Sequence, residues 1–303
     1  MFRLRIGYLI TGITTGLILL LGFFWSLPDG KLHIVFCDVG QGDAAYIRFP
    51  DGRDMLVDGG PNDAVLGCLG RHMPFWDRYI NLVLMTHPQK DHMQGLISVL
   101  DRYRTDYFVR SDIANSTEGY AALMDVVGRR GIKQKFVTTG EAVAVGSTTL
   151  SILWPSGDQI ANVLGATTSN LNDGSIVFSL RYGSFDALFP GDADIRVESG
   201  WKNMQLARLD LASSSRLADD TLEVLKYPHH GSKTGMTDAF LETLQPKLAV
   251  ISVGKNSYGH PNEATLATLA RQGIPVKRTD KEGDIEITSD GVTWNLSLEK
   301  LRN

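Results

Sequence analysis

The spacing of apolar residues changes near residue 30 of the chain. Residues 6–25 form an apolar stretch without a charged side chain, close to the ~20 residues that cross a bilayer as a helix. Downstream, short apolar runs alternate with turn-forming Gly, Asp and Asn. The pattern predicts an N-terminal transmembrane helix with its linker over residues 1–30, and one domain over residues 31–303.

The short runs predict a domain that mixes strands with helices. Helices are predicted at four amphipathic segments, 92–103, 119–130, 238–244 and 263–272. Strands are predicted at 33–37, 44–49, 54–57, 81–85, 149–154, 175–182, 187–189, 222–227 and 248–253, with a terminal hairpin at 285–289 and 293–298. This mixture along the whole length is typical of a layered α/β fold.

Charges beside the apolar stretch predict its orientation. Arg3 and Arg5 precede it, and because positively charged flanks stay in the cytoplasm, the domain is expected on the outer side of the membrane. A cleaved signal peptide is the alternative, but residues 25–28 (Trp-Ser-Leu-Pro) lack the small-residue pattern of a cleavage site. We therefore expect a single-pass protein of the cell membrane.

Composition narrows the possible functions without naming one. The net formal charge is -4, which excludes a chain-wide polycationic surface but leaves room for a local basic patch. The chain has 2 cysteines, so a thiolate-rich zinc site is excluded and any metal must use histidine and carboxylate ligands. Cys37 lies in an apolar run, which favours a buried thiol, and a disulfide with Cys68 is the alternative in an oxidising compartment.

Candidate metal ligands follow three of the predicted strands. They are His87, Asp91 and His92 after the strand at 81–85, Asp192 after 187–189, and His229 and His230 after 222–227. A lone Asp or His at a strand end usually caps a turn, whereas three such ends in one chain indicate a shared site on loops held by a rigid sheet. Imidazole and carboxylate groups suit zinc and also accept manganese.

The order of these motifs resembles a known family. Thr-His-x-x-x-Asp-His at 86–92, Gly-Asp at 191–192 and His-His-Gly-Ser at 229–232 are similar to motifs of the metallo-β-lactamase superfamily, and most of all to its ComEC-like competence hydrolases. Further matching segments lie at 38–43, 56–60, 254–261 and 278–280. The resemblance covers residues 32 to about 298 and implies a metallo-β-lactamase αββα sandwich.

The resemblance also implies a ligand set. It assigns one or two divalent ions, zinc or manganese, to His87, Asp91, His92, Asp192 and His229. Two departures from the superfamily weaken the first of the two metal positions. Gln89 stands where many members have a histidine, and no histidine lies between His92 and Asp192. We therefore expect one firmly held ion and a weaker second one.

Roles for the surrounding residues follow from the same resemblance. Asp58 and Asp192 are expected in the catalytic centre, Asp58 by orienting a ligand, and His260 is expected to donate a proton or contact phosphate. Asp38 and Asp43 flank a Gly-rich turn and have either a structural or an active-site role. Candidate substrate contacts are His230, Ser232, Lys233 and Lys255.

The predicted activity is metal-dependent hydrolysis of a phosphodiester, with DNA outside the cytoplasmic membrane as substrate. Hydrolysis of another exported ester, such as phosphocholine on a cell-wall polymer, is a second hypothesis. A catalytically inactive metal-binding protein is a third, because two usual ligands are missing. Expected partners are the membrane and DNA or another phosphodiester polymer.

Overall fold

The computed structural model describes residues 6–158, 171–203, 205 and 222–299 of the chain. Its helices are α1 (Ile6–Ser26), α2 (Ala64–His72), α3 (Lys90–Arg102), α4 (Glu118–Arg129), α5 (Asp238–Leu244), α6 (Glu263–Arg271) and α7 (Thr279–Glu282), with short 3₁₀ turns at Asn172–Gly174 and His229–Gly231. Its strands are β1 (Leu32–Phe36), β2 (Ala45–Arg48), β3 (Asp54–Val57), β4 (Tyr79–Met85), β5 (Arg104–Arg110), β6 (Lys133–Phe136), β7 (Ala142–Val145), β8 (Thr148–Trp154), β9 (Val177–Tyr182), β10 (Phe185–Phe189), β11 (Val224–Lys226), β12 (Leu248–Ile251), β13 (Val276–Arg278), β14 (Asp284–Ser289) and β15 (Trp294–Glu299).

The strands form two sheets. Sheet A has the order β15-β14-β1-β2-β3-β4-β5-β6, and sheet B has the order β13-β12-β11-β10-β9-β8-β7. Strands β3 to β6 are mutually parallel, and so are β10 to β13. Because β2 is antiparallel to both β1 and β3, β1 runs in the same direction as β3. The loops that follow β1, β3 and β4 therefore leave sheet A at one common edge.

Three buried clusters arrange these elements in four layers. The central cluster joins inward side chains of the two sheets, and Phe178 of sheet B stacks on Phe189 at 4.8 Å between ring centroids. A second cluster packs α2, α3 and α4 on the outer face of sheet A, and a third packs α5 and α6 on the outer face of sheet B. Each fully buried large apolar side chain contributes about 1.5–3 kcal/mol, so these clusters stabilise the predicted αββα order of layers.

Side-chain caps define several helix starts. Thr117 accepts a hydrogen bond from the Tyr120 amide at the start of α4, and Thr237 accepts one from the Phe240 amide at the start of α5. Asn262 does the same for α6. Such caps satisfy amide groups that have no partner inside the helix and are each worth about 1 kcal/mol.

The elements that sequence prediction missed are α2, α7, β5, β6, β7 and β13.

Helix α1 exposes its apolar side chains. Side chains are described for its residues 7–22, and the large hydrophobic residues between Tyr8 and Leu21 are 52–71% exposed. In the described part of the chain, no helix is long and apolar enough to cross a membrane.

Glycines allow the loops at the common edge to touch through their backbones. A Cβ atom on Gly95 would lie 2.0 Å from the carbonyl oxygen of Gly59, and one on Gly254 would lie 2.3 Å from the carbonyl carbon of Gly40. Real Cβ atoms do not approach other atoms so closely, so any larger residue would push these loops apart. The first contact joins α3 to the loop after β3, and the second joins the loops after β1 and β12.

Cys37 and Cys68 form a disulfide with a Cα–Cα distance of 5.8 Å. The expectation of a free buried thiol at Cys37 is therefore wrong, although both residues are buried. Cys37 directly follows β1 and Cys68 lies in α2, so their side chains meet on the face of sheet A that the helix covers. The bond ties the start of the loop at 38–43 to a helix.

We predict that reducing this disulfide lowers the free energy of unfolding. Its two cysteines are 31 residues apart, and closing a loop of that length in the unfolded chain is worth about 3–4 kcal/mol. Urea unfolding with and without a reductant measures the difference. A Cys68→Ala variant is the control, because its stability should not respond to the reductant. Equal stability of the oxidised and reduced wild-type chain would contradict the prediction.

Candidate metal centre

The predicted ligands meet at the common edge of the two sheets. His87, Asp91 and His92 follow β4, Asp192 follows β10, and the His229-His230 pair follows β11. The ends of three strands thus supply the site, as the sequence pattern indicated. Asp91 lies in the first turn of α3, where the helix dipole favours a negative charge.

Among the described residues, the group of possible ligands with the most members consists of Asp91, His92, Asp192 and His230, each of which offers one atom within 4.8 Å of the others. His92 Nε2 lies 3.3 Å from Asp192 Oδ2, and His230 Nε2 lies 3.3 Å from Asp91 Oδ2. His230 Nε2 is also 3.5 Å from Asp192 Oδ2. Two carboxylates and two imidazoles at these distances match the ligand chemistry of a divalent cation.

Unpartnered buried atoms support this fit. The Nε2 atoms of His87, His92 and His230 and the Oδ1 atom of Asp192 are buried without a hydrogen-bond partner. Leaving such groups unsatisfied costs about 1–3 kcal/mol each. Because these atoms belong to the candidate ligand residues, a cation at the site would satisfy them. His87 extends the group, with its ring centroid 4.1 Å from that of His92.

The electrostatics of the site favour positive charge. Burial alone would lower the pKa of His230, but the carboxylates of Asp192 and Asp43 raise it to about 10. Burial opposes the ionisation of Asp192, yet the imidazoles of His230 and His92 hold its pKa well below the usual value. His87 differs, because burial and the neighbouring His92 lower its pKa to about 3. His87 is thus already in the neutral form that a metal ligand needs.

His230, and not His229, lies in this group of four. The Nδ1 atom of His230 is 3.0 Å from the carbonyl oxygen of Ser252, which aims Nε2 at the carboxylates. His229 Nε2 is 3.9 Å from Asp192 Oδ2, and the ring faces His260 at 5.5 Å between centroids. Both histidines have left-handed backbone angles, with φ of 49° and 52°. The geometry therefore favours His230 as the metal ligand. Sequence analysis had instead selected His229 as the ligand and His230 as a substrate contact.

Asp58 holds two parts of the site in place. Its carboxylate accepts hydrogen bonds from the amide and the hydroxyl of Thr86, both at 2.7 Å. It also lies 2.8 Å from His92 Nδ1, which leaves Nε2 of that ring for the ligand position. A carboxylate behind a ligating imidazole fixes the orientation of the ring and raises its basicity.

Asp43 pairs with a buried lysine that sequence analysis did not identify. The Lys226 ammonium, at the end of β11, contacts Asp43 Oδ2 directly. Both side chains are buried, and Asp43 Oδ1 is 3.4 Å from His230 Nδ1. Asp38 lies away from this contact, where Oδ1 accepts the Gly40 amide in the turn and the Asp38 amide bonds to Asp284. Asp43 therefore belongs to the site and Asp38 to the turn.

A cleft of about 750 Å³ opens above the ligand group. The residues that line it include Gln89, Asp91, Asp192, His229, His230, Lys255, Tyr258 and His260. Burial and the nearby His229 lower the pKa of His260, so its imidazole is neutral at physiological pH. Ser232 and Lys233 do not line this cleft, which corrects their predicted role: Ser232 is buried with its Oγ 3.1 Å from Thr234 Oγ1, and Lys233 faces solvent.

The chain resembles two curated proteins over most of its length. It is 24% identical over 296 residues to ComE operon protein 3 of Bacillus subtilis, and the match covers 92% of this chain and 36% of that protein. It is 26% identical over 273 residues to Recombination protein 2 of Haemophilus influenzae, covering 87% and 30% respectively. The chain thus spans about a third of the length of these curated relatives. No protein-family model matches it.

Solved structures show the same fold. Zn²⁺-bound PqqB from Methylobacterium extorquens aligns with a TM-score of 0.52 at 15% identity, over 85% of this chain and 99% of that one. The metallo-β-lactamase fold protein YhfI from Bacillus subtilis aligns with a TM-score of 0.51 at 11% identity, over 84% and 99%. The fold of this chain is therefore the metallo-β-lactamase fold, and the resemblance to ComEC-like proteins inferred from its motifs is confirmed.

We predict that substitutions of the adjacent His229 and His230 have different effects on metal binding. Asp91→Ala, His92→Ala and His230→Ala should each abolish tight metal binding, whereas His229→Ala and Gln89→Ala should retain it. Asp58→Asn should weaken it roughly 10–100-fold, because the orientation of the His92 ring is lost. Metal content after dialysis and metal titration measure these effects. A metal-free His229→Ala beside a loaded His230→Ala would restore the original assignment.

The buried ion pair gives a stability prediction. Lys226→Met leaves the Asp43 carboxylate buried without its cation, which should cost about 3–5 kcal/mol. A double variant, Asp43→Asn with Lys226→Met, should recover part of this loss because both charges are gone. Urea unfolding in the presence of a chelator measures the pair without a metal contribution. If Lys226→Met is as stable as the wild type, the pair does not hold the loop.

Proposed function

We propose that residues 31–303 form a metal-dependent hydrolase that cleaves phosphodiesters, with DNA outside the cytoplasmic membrane as substrate. The observation that carries the proposal is the ligand group Asp91, His92, Asp192 and His230, of which Asp91, Asp192 and His230 line an open cleft. Beside it stand an exposed lysine, Lys255, which can bind phosphate oxygens, and a neutral histidine, His260, which can accept a proton or donate a hydrogen bond.

The cofactor of this proposal is zinc, with manganese as the alternative. The imidazole and carboxylate ligands are compatible with both ions. Asp91, His92, Asp192 and His230 would hold the ion, which would supply activated water and a positive charge for the leaving oxygen. Asp58 keeps His92 oriented, and Lys226 keeps the Asp43 loop closed behind His230. The protein's contribution would thus be a set of ligands that these contacts hold in place before the substrate binds.

The choice of DNA rests on the relatives. Two of the curated relatives are ComE operon protein 3 and Recombination protein 2. Since the chain spans about a third of each, DNA cleavage by this chain is a proposal and not an inherited property. The net charge of -4 requires local attraction of a polyanion, and exposed Lys255 at the cleft supplies it.

We also propose that α1 anchors the protein in the cell membrane with the hydrolase domain on the outer side. The described α1 side chains are apolar and exposed. Arg3 and Arg5 precede the helix, which favours a cytoplasmic amino terminus. A disulfide in the domain agrees with an oxidising compartment. Anchoring remains a prediction, tested by retention in membranes after a high-salt wash.

We predict metal-dependent cleavage of DNA by the intact, detergent-solubilised chain. Activity should disappear with a chelator, return with zinc or manganese, and fall as salt rises, because the Debye length is only about 8 Å at physiological ionic strength. Cleavage of small phosphodiesters or a phosphocholine polymer without cleavage of DNA would favour the cell-wall hypothesis. A full metal site without turnover of any phosphodiester would favour an inactive metal-binding protein.

Two variants test the roles within the cleft. Lys255→Ala should raise KM for DNA more than it lowers kcat, because a phosphate remote from the reacting bond is bound alike in the ground and transition states. His260→Ala should mainly lower kcat, by about 10²–10⁴-fold if it transfers a proton. Lys233→Ala is the matched control, since Lys233 is exposed but does not line the cleft.

A further inference from the structure

Two aromatic side chains are exposed in the loop between α2 and β4. Phe75 is 69% exposed and Trp76 is 43% exposed, and their rings meet edge to face at 4.6 Å. The two adjacent rings form an apolar patch on the surface, a feature that can mark contact with a partner or a membrane.

The aromatic pair adjoins α1. A Cβ atom on Gly22 would lie 3.2 Å from Cη2 of Trp76, so the indole ring rests on the last turns of this helix. Leu27, just beyond α1, is 45% exposed. The pair therefore continues the apolar surface of α1 onto the body of the domain.

The exposure of α1 favours lipid as the partner. Leu17, Ile18, Leu19, Leu20 and Leu21 are consecutive and all 52–64% exposed. Successive helix residues point about 100° apart, so these five face every direction around the axis. A protein partner covers one face of a helix, whereas a bilayer surrounds it. Trp and Phe beside such a helix suit the interface between lipid tails and water.

The topology places this surface opposite the metal centre. The loop that carries Phe75 and Trp76 enters β4 at Tyr79, and the chain after α1 enters β1 at Leu32. The loops of the metal centre leave the carboxyl ends of these same strands. The seven residues of β4 span about 20 Å at ~3.3 Å per residue, which separates the two edges.

We propose that Phe75 and Trp76 insert into the outer surface of the membrane and form a second lipid contact beside α1. This inference rests on the proposed anchoring by α1. With this contact, the edge of sheet A at which β1 and β4 begin faces the bilayer. The metal cleft, at the opposite edge, opens away from the lipid. The substrate of the site then comes from the surrounding medium and is not a headgroup of the anchoring membrane.

Tryptophan quenching by brominated lipid tests the proposal. The full chain is reconstituted into phosphatidylcholine–phosphatidylglycerol vesicles with or without bromine on the acyl chains, and its fluorescence is compared with that of Trp76→Phe. We expect bromolipid to quench the wild type more strongly than this variant. Phe75→Ser/Trp76→Ser should keep the same metal content, because neither side chain touches the site.

The outcomes of this experiment distinguish the lipid contact of Phe75 and Trp76 from the anchoring by α1. Equal quenching of the wild type and Trp76→Phe, with both floating with vesicles, overturns the lipid contact and leaves α1 as the anchor. A wild-type chain that does not float with vesicles overturns both. If Trp76 is unquenched by bromolipid while the chain forms a dimer that Phe75→Ser/Trp76→Ser abolishes, the patch binds a second copy and the inference is wrong.

Discussion

The mutual repulsion of four carboxylates is the constraint on which the site depends. Asp43, Asp58, Asp91 and Asp192 converge where the loops of the two sheets meet, and three of them are almost fully buried. Burying such charges costs several kcal/mol each unless cations offset them. The Lys226 ammonium offsets the charge of Asp43. Protons on the imidazoles near Asp192 offset the charge of that carboxylate, and a metal ion can replace these protons. The carboxylates that raise the pKa of His230 also attract a divalent ion, which binds when the imidazole protons are released.

Much of the fold was predictable because its elements have strong periodicity. The helix at 238–244 was predicted with the bounds that the structure shows, and the α3 prediction began two residues late, at His92. Helix α2 was missed because it is short and contains Gly67 and Gly70, which weaken the helical pattern. Strand β5 was missed because Arg104 and Asp106 break the apolar run, and its first half is largely exposed.

The location of the site was also predictable, but its internal geometry was not. Strand-end motifs indicated that His87, Asp91, His92 and Asp192 lie together. The choice between His229 and His230 depends on left-handed backbone angles that no spacing rule gives. Lys226 was overlooked because lysine is seldom buried, although a lysine at the end of an apolar strand, directly before a candidate ligand segment, is a usable signal.

The glycine contacts beneath the loops have a consequence for how this protein tolerates mutation. Gly59 and Gly95, like Gly40 and Gly254, meet through backbone atoms, with no room for a Cβ atom on Gly95 or Gly254. Neither of those two glycines offers a side chain to the substrate or a metal, yet replacing either would displace a segment that carries residues of the site. A scan of all single substitutions would therefore score these positions like catalytic residues. An activity assay alone would therefore overstate the number of residues that take part in catalysis. Assays that also record folding and metal content separate catalytic residues from those that only allow close backbone contacts.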